Sequence, residues 1–231
     1  MNQKIQKIIE NSVAKAKKQN KEYLLFGRIM VFIQDPLISD FVDFEEVIEA
    51  VQRHIPSHLF DDIDLIYVGQ FESLVDRELE AQYENGAIFI TNTLNDSYDY
   101  IENIVHEMIH SLENAFGLQI YGDGKMEREF LGKRERLFHK IASEGYNIKG
   151  LDYLEADYQQ DMDDFLYQEM GYENLNYLIS GLFLNPYATT SLGEYFASGM
   201  EKYLLSGDDR RYLKKLSPAL VTKIEELLNG Y

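Results

Sequence analysis

Apolar residues along the chain recur in two rhythms. Ile5, Ile8, Ile9 and Val13 fall at helical spacing with lysines opposite, which predicts an amphipathic helix over 4–19. Residues 23–33, YLLFGRIMVFI, are densely apolar, β-branched and aromatic, and Asp35-Pro36 stops them. They predict a strand, or a hairpin bent at Gly27. Asp43 can cap a helix running to about His54, with Phe44, Val47, Ile48 and Val51 on its apolar face. Residues 64–68, DLIYV, predict another strand. A polar stretch follows, then Asn85-Gly86, a strong turn signal, and AIFIT over 87–91 as a further strand.

The helical rhythm then takes over. Asn95, Asp96 and Ser97 offer caps for a helix that Gly117 can end. Residues 126–143 predict one helix and 161–184 one or two more. Thr190 or Ser191 can cap a helix to about Leu205, and Ser217-Pro218 opens a last helix before Gly230. Residues 150–164, rich in Asp and Tyr, are the expected mobile or recognition segment. The order predicts an α+β fold: a small N-terminal mixed sheet, a central helix, and a mostly helical C-terminal part. We expect a single domain with lobes over 1–117 and 118–231.

Composition narrows the chemistry. Hydrophobic residues make up 45% of the 231, enough for a sizeable core. No apolar run has the roughly 18 residues of a membrane span. The N-terminus is polar and lysine-rich without the apolar centre of a secretory signal, so the expectation is a cytoplasmic or virion-associated protein, or the mature form of a secreted one. The net charge of −18 argues against nucleic-acid partners and favours cationic proteins or peptides. Cysteine is absent, so any zinc must be held by His, Asp and Glu.

His106-Glu107-Met108-Ile109-His110 supplies such a site. Helical residues advance about 100° each, so both imidazoles point one way, one turn apart, and can share one ion. Glu107 lies beside them, within reach of a water on that ion. Ile101, Ile104, Val105, Met108 and Leu112 form an apolar stripe about opposite, facing a core. Glu113 shares the histidine face and is a candidate to orient a ligand. A catalytic zinc site usually has a third protein ligand. A downstream histidine fails here, since positions 113 and 116 are Glu and Phe. A glutamate from a later helix is the other common solution.

The segment NPYATTSLGEYFASGMEKYLL, 185–205, carries Tyr187 seven residues before Glu194, followed by Tyr-Phe-Ala. Together with the H-E-x-x-H helix, this resembles the catalytic domain of anthrax lethal factor and the related Pro-Pro endopeptidases, a gluzincin family. The resemblance covers the active helix and 187–197. It implies a zincin-like fold and a zinc-dependent endopeptidase. It also implies zinc on His106, His110 and Glu194, Glu107 as general base, and Tyr187 as oxyanion donor. The strand Ala87, Ile88, Phe89, Ile90 and Thr91 resembles the edge strand along which zincins bind substrate. Substrates of the family are basic or proline-containing peptides. One position departs: where relatives carry an acid four residues after the ligand glutamate, this chain has Ser198. Glu113 is a substitute.

Other candidates read as structural. His54 and His58 are separated by Pro56, which predicts a turn. His139 lies on a charged helix, and Tyr153, Tyr158, Phe165 and Tyr167 read as packing before substrate binding. The rival function is a non-catalytic zincin-like protein that binds a partner through its acidic surface.

Overall fold

The computed structural model describes residues 22–207 and 209–230; the helix expected over 4–19 lies outside them. Among the described residues the chain is α+β, with a five-stranded mixed sheet and nine α-helices. It divides into two compact units, Met1–Leu112 and Glu113–Tyr231. The division falls inside one helix, five residues before the boundary read from the sequence.

The first unit is built on the sheet. Strands β1 (Glu22–Leu25) and β2 (Ile29–Ile33) form the hairpin. Phe26 and Gly27 turn it with φ of 53° and 70°, and the Arg28 N–H closes it onto the Leu25 carbonyl at 3.2 Å. Helix α1 (Phe44–His54) follows, its N-terminus capped by the Asp43 carboxylate. Strand β3 (Leu65–Gly69) comes next, then the short helix α2 (Glu72–Val75). Strands β4 (Ala81–Glu84) and β5 (Ala87–Thr91) pair across Asn85-Gly86, both at positive φ. The sheet order is β1-β2-β3-β5-β4, with β2, β3 and β5 parallel and the outer strands antiparallel. Ile29, Val31, Ile33, Ile66, Val68, Ile88 and Ile90 alternate onto one buried face. The Phe44 ring lies 5.3 Å from Tyr23 and 5.5 Å from Tyr100, joining α1 and the central helix to this core.

The sheet corrects one expectation. Ala87, Ile88, Phe89, Ile90 and Thr91 form a strand, but it is internal, paired with β3 and β4. The edge belongs to β4. Its sequence, AQYE, lacks the β-branched rhythm of a strand and reads as loop. The tight turn folds it back, and an edge position tolerates polar side chains.

Helix α3 (Ser97–Tyr121) carries the H-E-x-x-H segment. Asp96 caps it, accepting the N–H groups of Tyr98 at 2.8 Å and Asp99 at 3.1 Å. It does not stop at Gly117. A glycine inside a helix costs only about 1 kcal/mol, and the chain turns away later, at Gly122 and Gly124.

The second unit packs helices. They are α4 (Lys125–Ser143), α5 (Gln160–Asp164), α6 (Tyr172–Leu178), α7 (Leu192–Leu205), α8 (Arg210–Leu216) and α9 (Pro218–Asn229). Of the one or two helices expected over 161–184, two are present, α5 and α6, and they are short. A π turn spans Phe165–Met170, Gly171 takes φ 74°, and helix ends at Leu178. The 150–164 segment is tied down: Tyr153 stacks on Phe138 at 4.8 Å, and the Ala156 carbonyl accepts the Leu192 N–H at 2.8 Å. Helices α7 and α9 meet at Gly199, where an added Cβ would come within 2.2 Å of Leu220. No helix among the described residues is long and apolar enough to cross a membrane.

Candidate metal centre

The stripe Ile101, Ile104, Val105, Met108 and Leu112 is buried, as its spacing requires. That register turns His106, Glu107 and His110 to the opposite, half-buried side. The Nε2 atoms of His106 and His110 lie 3.2 Å apart, with the rings inclined at 71°. His106, His110 and Glu194 each offer a ligand atom, and all three atoms lie within 4.8 Å of one another. No other such group of His, Cys, Asp or Glu occurs among the described residues. His54 and His58 are exposed on either side of the turn at Pro56, and His139 is exposed on α4.

Zinc fits this donor set. Two nitrogens each about 2.0–2.1 Å from a tetrahedral ion stand about 3.3 Å apart. The imidazole separation matches that span, and two nitrogens with a carboxylate oxygen are ordinary zinc donors.

Glu107 is positioned by the sheet. One carboxylate oxygen, Oε2, accepts the Tyr83 N–H at 2.6 Å. The pairing of Thr91 N–H to the Glu80 carbonyl fixes the register, so Ala81 and Tyr83 turn their backbone groups outward from β5. A strand edge therefore holds the glutamate.

Glu194 is set by its helix start. Ser191 caps α7, its Oγ accepting the Glu194 N–H at 3.1 Å. The residue before it, Thr190, is anchored by a fully buried cation. Arg134 donates to the Thr190 carbonyl at 2.8 Å and the Glu155 carbonyl at 2.5 Å, with its guanidinium 5.0 Å from the Phe130 ring centre. Burial lowers the pKa of Arg134 to about 10. Beside it, Lys133 donates to the Tyr195 hydroxyl at 2.7 Å and Ser217 Oγ at 2.6 Å. Burial lowers its pKa to about 8, against the pull of Glu129. Glu129 accepts the Tyr195 O–H and the N–H groups of Ala219 and Leu220, capping α9 in place of Ser217.

The remaining candidates separate. Glu113 Oε2 accepts the Tyr121 hydroxyl at 2.9 Å. Burial, then the charges of Glu113 and Glu194, hold the Tyr121 phenol protonated far above the ordinary tyrosine range. Tyr187 lies on a 3-10 turn before α7 and is 37% exposed. Ser198 is buried and its hydroxyl has no hydrogen-bond partner, so it does not orient a ligand. Tyr153 and Phe165 pack, whereas Tyr158 and Tyr167 are about half exposed.

Sequence reasoning missed Tyr83, Lys133, Arg134 and Tyr121. One signal was present: Met126, Phe130, Leu137, Phe138 and Ile141 define a buried face of α4, and Lys133 and Arg134 fall inside it. No family model, no curated protein and no solved structure matches this chain.

Proposed function

We propose that this chain is a zinc-dependent endopeptidase with a zincin-like fold, a gluzincin similar to lethal factor and the Pro-Pro endopeptidases. The observation that carries the reading is the convergence of the His106 and His110 Nε2 atoms, 3.2 Å apart, with Glu194 in the same ligand group. His106, His110 and Glu194 would hold the ion. When bound, zinc supplies the Lewis acidity that makes water nucleophilic near neutral pH and polarises a peptide carbonyl.

The chain's own residues supply the rest. Glu107 accepts a proton at its carboxylate as water attacks, then gives that proton to the leaving amine. The Tyr83 N–H fixes the plane of this carboxylate. The Tyr187 hydroxyl donates to the oxyanion of the tetrahedral intermediate. An extended peptide pairs with the outward groups of β4 that Glu107 does not occupy, those of Ala81 and the Tyr83 carbonyl, which replace 87–91 in that role. The acidic chain suits basic peptides.

One observation favours a second reading, a partner-binding protein without catalysis. Glu107 already accepts a backbone N–H at 2.6 Å, a structural role that needs no chemistry. The substitution Glu107→Gln separates the two, since Gln still accepts that N–H. An endopeptidase loses about 10²–10⁴-fold in cleavage while retaining zinc. Absence of cleavage by zinc-loaded wild type across a broad peptide library would favour the partner-binding reading.

A further inference from the structure

We infer that Glu113 is a positioning residue for the metal grip, acting on the first turn of α7 through Gly193. The inference rests on the metal site proposed above and adds a residue that binds no ion itself. Three observations converge. Glu113 lies one turn beyond His110 on the same unbroken helix. Its carboxylate accepts the Tyr121 hydroxyl at 2.9 Å, a phenol kept protonated and therefore a permanent donor. A Cβ built on Gly193 would stand 3.2 Å and 3.3 Å from the two Glu113 oxygens.

That last spacing gives the mechanism. Gly193 has no positive φ, so the backbone does not demand glycine there. Helix propensity gives no reason for glycine there either, since alanine is the better helix former. What glycine provides is room: the Glu113 carboxylate seats directly against the backbone preceding Glu194. Tyr121 holds the same carboxylate by its hydroxyl, and its ring lies 6.2 Å from that of Phe196 on α7. Glu113, Tyr121 and Gly193 thus set where the Glu194 carboxylate emerges. The position four residues after Glu194, on the same face of α7, carries no acid. Ser198 occupies that place with an unpartnered hydroxyl, and Glu113 takes over the positioning from the other helix.

The test is zinc affinity by chelator competition, with the visible spectrum of the cobalt-substituted protein as a second readout. Wild type is compared with Glu113→Ala, Gly193→Ala, the double variant and Glu113→Gln. Partners of metal ligands typically contribute 10–100-fold to affinity. Each alanine variant should weaken zinc by about that factor and alter the cobalt spectrum, with the metal-free fold intact by circular dichroism. The double variant should be no weaker than Glu113→Ala, because both changes break one contact. Glu113→Gln keeps the shape and an oxygen for Tyr121, and should restore most of the affinity and the spectrum. Unchanged zinc affinity in Glu113→Ala, or losses that multiply in the double variant, would overturn the inference while leaving the metal site standing. A wild type that takes up no zinc would overturn both.

Discussion

The backbone N–H of Tyr83 donates to Oε2 of Glu107 at 2.6 Å, so an edge strand holds the carboxylate proposed as the base. The interaction is charge-assisted, and an outward N–H on an edge strand is not needed by the ladder. The sheet therefore loses nothing by lending it to the helix.

Tyr83→Pro isolates that contact. Proline removes the N–H, and an outward edge position is where a strand tolerates it. Zinc affinity should remain within about twofold. Turnover should fall about tenfold as the carboxylate loses its fixed plane, a modest fraction of the 10²–10⁴-fold that a general base contributes. Steady-state kinetics checks this; unaltered turnover would show that Glu107 is oriented by something else.

Arg134 should matter for both stability and metal. Arg134→Leu leaves the buried Thr190 carbonyl and the part-buried Glu155 carbonyl without their donor. A buried carbonyl that loses its partner costs about 1–3 kcal/mol and a part-buried one less, so urea unfolding of the metal-free protein should show a loss of about 1–4 kcal/mol. Because Thr190 precedes the Ser191 cap of α7, zinc affinity should fall as well. Full stability with weakened zinc, or the reverse, would separate the two roles.

Lys133 predicts a pH dependence of definite sign. Its amine titrates at about 8 in the fold and at 10.5 when unfolded. Between those values the unfolded chain binds more protons, so this group's contribution to stability rises with pH. Below about pH 8 the charged amine is buried at full cost. The buried phenols of Tyr121 and Tyr195, held protonated in the fold, act with opposite sign only above about pH 10. The stability of wild type relative to Lys133→Met should therefore increase between about pH 7.5 and about pH 9.5. A flat difference across that window would contradict the assignment.

The legible part of this protein was the part governed by local periodicity. The Asp43 and Ser191 caps, the hairpin at Gly27, the Asn85-Gly86 turn and the register of His106 and His110 follow from spacing within about a dozen residues. Strand β4 was illegible because its pairing is imposed by the turn after it, while its own composition is polar. The strand over 87–91 was recognised but misplaced, since strand order depends on contacts between segments distant in sequence. Gly117 is a plausible stop by composition alone, yet helix termination depends on where packing lets the chain turn, and that is Gly122. Lys133 and Arg134 look like surface charges until the helix face that carries them is seen to be buried.

The central claim is that His106, His110 and Glu194 close on one divalent ion. Zinc content per chain, measured by mass spectrometry on wild type and on Glu194→Ala purified identically, tests it most directly. We predict one zinc per wild-type chain and a sharply weakened or absent zinc in Glu194→Ala, with helix content unchanged. Metal-free wild-type protein after exposure to zinc, or a Glu194→Ala variant that holds zinc as tightly as wild type, would contradict it.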